Sequence, residues 1–217
     1  VLHYTNLDRT TPGESRSFLI DAGAQVHGYA SDITRTYANG DPRFQDLIDR
    51  MDSMELAIVD KVESGVDYRD LHVGAHLMLA EVLVDAELAT GSPETLLGTG
   101  VTSAFFPHGL GHLLGIQVHD VGGHQADESG STIDPPSGHP FLRLTRVLEE
   151  DMVLTIEPGL YVIDMLLDNL RGTPAEHHVN WKTVDWLRPF GGIRIEDDVR
   201  VQAKNRENLT RDAFAQL

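Results

Sequence analysis

Two aspartates eleven residues apart, Asp21 and Asp32, stand in a stretch that otherwise reads as apolar strand. Ser17-Phe-Leu-Ile-Asp-Ala22 and Tyr29-Ala-Ser-Asp-Ile-Thr-Arg-Thr-Tyr37 are rich in β-branched and aromatic residues. Gln25-Val-His-Gly28 between them has hairpin length and ends on a glycine suited to positive φ. A turn symmetric about Val26 and His27 sets Asp21 opposite Asp32, with Cβ atoms about 4.5–5.5 Å apart. Like charges facing each other across a sheet destabilise it, and nothing cationic lies beside them in the sequence. A cation between the two carboxylates relieves that conflict. The competing reading is a bulge that turns one aspartate to solvent.

Three further side chains occupy the same odd kind of position, a polar group framed by apolar strand or glycine. They are His112 in His108-Gly-Leu-Gly-His112, Glu157 in Met152-Val-Leu-Thr-Ile-Glu157, and Glu196 in Ile193-Arg-Ile-Glu196. Buried carboxylates need cationic partners, and lysines are scarce nearby. Four carboxylates and one imidazole make a hard, oxygen-rich donor set. Such a set suits two divalent ions such as manganese or cobalt better than a structural zinc, which favours thiolates and imidazoles. Two ions about 3.5–4 Å apart would hold a water or hydroxide between them.

The elements that must position these groups follow from periodicity. Val1–Tyr4 is a candidate strand carrying His3. After the hairpin, Asp41 caps and Pro42 opens a helix striped by Phe44, Leu47, Ile48, Met51, Met54, Ile58 and Val62, with Gly65 as its stop. A second helix follows Asp67, striped by Leu71, Ala75, Met78, Leu79, Val82, Leu83 and Ala86. His72 and His76 on it have a spacing that binds metals elsewhere, but no carboxylate neighbour or glycine-rich context supports ligation. From Thr99 the chain turns to glycine, histidine and aromatics. A polar loop over 125–140 leads to Phe141-Leu-Arg-Leu-Thr-Arg-Val-Leu148, which alternates as a strand does and carries Arg143. Strands are expected at 152–157 and 190–201, a short helix and loop over 164–182, and a surface ending from Lys204. His27, His124, His139, His177 and His178 read as turn, loop or surface residues.

With 217 residues the chain can bury a sizeable core, and the absence of any repeat or linker favours one domain. A formal net charge of −17 makes nucleic acid and anionic membranes poor partners. There is no cysteine, which excludes disulfides and thiolate catalysis and suits a reducing cytoplasm. No apolar run is long enough to cross a bilayer, and no signal peptide opens the chain. The chain starts without methionine on what already reads as strand, so an upstream region is expected beyond Val1.

The order of these residues resembles the metallopeptidases of the pita-bread fold: Asp, Asp eleven residues on, His-Gly-Leu-Gly-His, Ile-Glu-Pro-Gly, then Arg-Ile-Glu. The resemblance covers essentially the whole chain. Gly191-Gly-Ile-Arg-Ile-Glu-Asp-Asp-Val199 is similar to the proline-specific branch, and the nearest likeness is to bacterial Xaa-Pro dipeptidases. That resemblance implies an α+β fold, a curved antiparallel sheet covered by helices, with residues 1–217 as a catalytic domain whose start and amino-terminal partner domain lie upstream. It implies two divalent ions, manganese first with cobalt or zinc as alternatives, held by Asp21, Asp32, His112, Glu157 and Glu196. Asp32 and Glu196 would bridge them. His108 and His119 would contact substrate and its tetrahedral intermediate, Glu157 would carry the proton to the proline nitrogen, and Arg194 would orient an aspartate. Arg143 would bind the substrate's free carboxylate and His3 would line the pocket mouth. The expected reaction is hydrolysis of Xaa-Pro dipeptides by a metal-bridging hydroxide, with organophosphate esters as a side activity, in a cytoplasmic homodimer.

Three rival functions follow from the same residues. A binding module of this kind would have lost ligands, yet all five positions are filled. Phosphotriester hydrolysis uses the same attacking group on phosphorus. An aminopeptidase acting on longer Xaa-Pro peptides is disfavoured by Arg143 and the loop before it, which would close the far side of the site.

Overall fold

The computed structural model describes residues 13–217. The expected strand at 1–4 and His3 lie outside those residues. The hairpin forms from β1 (Ser17–Ala22), β2 (Gln25–Val26), β3 (Tyr29–Ala30) and β4 (Ile33–Ala38). Its register differs from the expected one by a single step of the turn: Asp21 is opposite Thr34, and Val26 is opposite Tyr29. The turn therefore centres on His27 and Gly28, with φ of 52° and 88°, the left-handed pair that suits a two-residue hairpin. The sequence leads one to expect only the glycine in that conformation, and His27 also adopts it. Because side chains alternate with period two, Asp32 still lies on the face of Asp21 and Thr34, one diagonal away.

Helix α1 (Pro42–Val59) starts where expected, with the Asp41 carboxylate accepting from the Arg43 and Phe44 amides. It ends at Val59, six residues short of the expected Gly65 stop, because the chain leaves the helix through turns at Asp60–Val62. Helix α2 (Tyr68–Asp85) is capped by Asp67. Both apolar stripes enter the core, and α1 lies on the sheet while α2 packs on α1 and on two short helices, α3 (Pro93–Gly98) and α4 (Val101–Phe105). Each fully buried leucine or phenylalanine contributes about 1.5–3 kcal/mol, so the two stripes supply much of the cohesion. His72 and His76 are buried in α2 with the core.

The second half supplies β5 (Val153–Ile156), β6 (Gly159–Tyr161), α5 (Asp164–Asp168), α6 (Trp181–Leu187), β7 (Gly192–Arg194), β8 (Asp197–Val201), β9 (Arg206–Asn208) and α7 (Leu209–Phe214). One register runs through two pairings: Ile156 opposite Asp197, and Gly159 opposite Arg194. Glu157 consequently faces Glu196 across the gap between them. An antiparallel bridge from Thr34 to Glu196 joins this half to the hairpin. One expectation fails here. Phe141–Leu148 keeps its alternation, with Leu142, Leu144 and Leu148 buried, yet it has only one isolated bridge, Val147 to Asp67. It is an extended segment whose carbonyls and amides bind loops and helix starts rather than a neighbouring strand. The tail from Lys204 lies at the surface as expected, and it forms β9 and α7.

That tail has structural weight. Arg211 on α7 bonds Asp197 at 2.6 Å, Asp52 at 2.7 Å and Glu55 at 3.1 Å. Glu55 is fully buried in α1, and its Oε1 has no partner among the described residues. Burial first, and then the nearby Asp197 charge, push its pKa from 4.5 to about 9 against the pull of Arg211. The folded chain thus holds a proton that the unfolded chain releases. That contribution is fully present below pH 4.5 and is lost as pH rises through about 9. Glu55→Gln should therefore flatten the fall of the urea midpoint between pH 5 and 9, and should match or exceed the parent at the alkaline end by about 1 kcal/mol. A parallel pH slope in both proteins would remove this role for Glu55.

Candidate metal centre and substrate cavity

The registers just described put the functional side chains on one face in two adjacent rows. Asp21, Thr34, Glu196 and Glu157 form one; Asp32 and His112 belong to the next, since the Asp32 amide points at Asp198 and Thr155 pairs with the His112 backbone. Gly111 permits the second row. A Cβ there would meet the Thr155 carbonyl oxygen at 2.0 Å, so only glycine lets the His112 segment lie against β5. Gly159 plays the same part for Tyr161, whose ring would stand 2.4 Å from an added Cβ.

Nine of the ten site residues expected from sequence line one cavity of about 730 Å³; His3 lies outside the described residues. His112, Glu157 and Glu196 bring donor atoms within 4.8 Å of one another, and so do Asp21, Asp32 and Glu196. Glu196 is common to both groups. A third group of the same size joins Asp32, His112 and His119, and the His119 ring stands edge-on to His112 at 4.3 Å. Arg143 is exposed and lines the same cavity, with its neighbours Phe141 and Leu142.

The electrostatics explain why this cluster calls for cations. His112 Nδ1 lies 3.0 Å from the Leu113 carbonyl and must donate its proton there, so the Nε2 lone pair points at Asp32 and Glu157. Those oxygens stand 3.6 and 3.7 Å away, too far for hydrogen bonds and suited to atoms arranged around a shared cation. Burial works against a His112 cation, but Asp32 and Glu157 outweigh it and raise its pKa. Burial pushes Glu157 up to about 7 and Glu196 well above the carboxylate range, and it raises Asp21 against the Arg194 charge. Such carboxylates hold protons unless metal ions replace them. The donor set, one imidazole and four carboxylates on a single face, fits a pair of divalent ions.

Arg194 is the only lysine or arginine that pairs with these carboxylates among the described residues. Buried at 4 % exposure, it bonds Asp21 directly and lies 3.8–3.9 Å from Glu196 and Glu157. It also donates to Tyr161 Oη at 3.3 Å and to Thr34 Oγ1 at 3.2 Å. Tyr161 in turn stands 2.8 Å from His108 Nε2, whose Nδ1 is 2.8 Å from the Gly109 carbonyl. A carbonyl accepts only, so His108 donates through Nδ1 and accepts from Tyr161 through Nε2. Burial pushes its pKa down to about 3, so the ring stays neutral. Both nitrogens of His108 are thus engaged, a point that its sequence context did not reveal.

Three contributors escaped the sequence reading. Thr34 donates to Glu196 Oε2 at 2.6 Å, Tyr161 links Arg194 to His108, and Asp198 accepts the Asp32 amide at 3.2 Å. Each lies an even number of residues along a strand from an expected ligand: Thr34 from Asp32, Tyr161 from Glu157, Asp198 from Glu196. Strand parity was the available signal.

The family model described as metallopeptidase family M24 matches residues 1–203. Xaa-Pro dipeptidases of Shewanella piezotolerans and Shewanella sediminis are 58% and 57% identical over 212 residues, 98% of this chain and 48% of each relative. The chain therefore spans about half the length of these relatives. Among solved structures, Pseudomonas aeruginosa aminopeptidase PepP superposes with a TM-score of 0.69 at 29% identity, over 97% of this chain and 41% of that one. Proline aminopeptidase P II from Yersinia pestis gives 0.69 at 30% identity, over 98% and 42%. This chain belongs to metallopeptidase family M24, and its antiparallel strands covered by helices are the pita-bread fold.

Proposed function

We propose that the protein containing this chain is a metal-dependent Xaa-Pro dipeptidase. The observation that carries the reading is the convergence of four carboxylates and one imidazole in a cavity that Arg143 also lines. In support, the relatives named Xaa-Pro dipeptidase are about twice as similar in sequence as the aminopeptidase P structures.

Asp21, Asp32, His112, Glu157 and Glu196 would hold two divalent ions, with Asp32 and Glu196 shared between them; manganese suits the oxygen-rich set, with cobalt and zinc as alternatives. The ions supply Lewis acidity, lowering the pKa of the attacking water and polarising the scissile carbonyl. An Xaa-Pro bond is a tertiary amide without an N–H, so recognition has to use the carbonyl, the ring and the two chain ends. Arg143 binds the proline carboxylate by a charge-assisted pair and so limits the substrate to two residues. Glu157 passes a proton to the proline nitrogen as the bond breaks. Arg194 holds Asp21 in its ligand orientation. His119 donates to the developing oxyanion. His108 can join it only if its proton moves from Nδ1 to Nε2, giving up the bonds to the Gly109 carbonyl and to Tyr161.

Organophosphate esters are a side substrate on this reading, since the same activated water attacks phosphorus. The remaining parts of the proposal are a cytoplasmic location, which the absence of cysteine suits, and a homodimer. Among the described residues no helix is long and apolar enough to cross a membrane.

Alanyl-proline hydrolysis should vanish on chelation and return with manganese, and Asp32→Asn should lower kcat by at least about a hundredfold. Turnover that survives chelation would end the proposal. Arg143→Ala should cost about tenfold to a hundredfold in kcat/KM on dipeptides, the worth of a charge-assisted hydrogen bond, and much less on a tripeptide amide. Equal losses on both substrates would remove the carboxylate role.

A further inference from the structure

His72, His76 and His139 form a second cluster of potential ligands, outside the carboxylate centre. Their ring centroids are 4.7, 4.7 and 4.5 Å apart, a nearly equilateral triangle, and one ring nitrogen from each lies within 4.8 Å of the others. His72 and His76 are adjacent turns of α2 and 1 % exposed; His139 arrives from the end of the 125–140 loop and is half-buried. His72 Nε2 stands 3.0 Å from His139 Nδ1. His72 Nδ1 and both nitrogens of His76 have no partner among the described residues.

A neutral imidazole carries one donor and one acceptor, and a buried ring normally satisfies both. Three unpartnered nitrogens in one buried cluster are poorly explained by hydrogen bonding alone. Packing accounts for the rings, since Phe106 stacks on His76 at 4.8 Å, but not for their polar atoms. Zinc–nitrogen bonds of 2.0–2.1 Å place tetrahedral ligand atoms about 3.3 Å apart, close to the His72–His139 separation. We propose that His72, His76 and His139 bind one borderline divalent cation, zinc by preference, at a site separate from the carboxylate centre.

Several features agree with this assignment. Burial keeps His72 neutral, with its pKa pushed down to about 3, and it lowers His76 and His139 as well, which is the protonation state that ligates. A small cavity of about 130 Å³ adjoins His72 and His139, leaving room for a water or anion as fourth ligand and a path for entry. An all-imidazole set favours zinc, nickel or cobalt over manganese, so the two sites would sort different metals.

The site also has a mechanical reach. The Leu142 amide bonds the His139 carbonyl, and Pro140 to Arg143 line the main cavity. A cation here would pin the segment that carries Arg143 to helix α2, coupling metal occupancy to the shape of the substrate cavity.

The test is a metal count on chelator-stripped protein reloaded with zinc and dialysed, repeated with cobalt for its visible spectrum. The parent should retain one equivalent more than His139→Ala, and the tetrahedral cobalt bands should vanish in that variant. His139→Cys restores a ligand and should regain both. Asp32→Asn disturbs only the carboxylate centre, so it should keep this equivalent even if the dipeptidase reading is wrong. Equal metal content and unchanged cobalt bands in the parent and His139→Ala would overturn the proposal. So would a loss of the extra equivalent in Asp32→Asn alone.

Discussion

Negative charge crowded onto one face of neighbouring strands is the constraint that shapes this molecule. Asp21 and Asp32 come from one hairpin, Glu157 and Glu196 from two segments far along the chain, and Arg194 is the only arginine or lysine pairing with them among the described residues. One arginine cannot neutralise four carboxylates, and burial first, then the neighbouring carboxylates, raise the pKa values of Glu157 and Glu196. Divalent ions would meet the same need without protonation and would convert a destabilising cluster into a source of binding energy.

Geometry follows from that constraint. The antiparallel registers align Asp21, Thr34, Glu196 and Glu157 in one row, and glycines at 111 and 159 let backbone and ring approach where a side chain would block them. Arg194, Tyr161 and His108 extend the order outward as a chain of hydrogen bonds ending on the Gly109 carbonyl. Losing any member would loosen the next, because each polar atom is buried and fully engaged.

Much of this was legible in the residues, and the failures have physical causes. Helix caps at Asp41 and Asp67 and the apolar stripes of α1 and α2 are local signals, and both helices start where those signals put them. The facing aspartates were placed one step out because His27 adopts a left-handed conformation that the sequence reading reserved for glycine. Phe141–Leu148 alternates in burial yet lacks a strand partner, since alternation reports which side is buried and not what pairs with the edge. The tail's structural weight is not legible locally, because Arg211 meets Asp52, Glu55 and Asp197 only in three dimensions. His139 escaped for the same reason, joining His72 and His76 from 63 or more residues away along the chain.

The most direct measurement is anomalous scattering from crystals of the protein loaded with manganese, recorded on both sides of the manganese edge. The account predicts two peaks about 3.5–4 Å apart, with the Glu196 carboxylate between them and His112 Nε2 bound to one. A map with no peak among Asp21, Asp32, Glu157 and Glu196, at full manganese loading elsewhere, would contradict it.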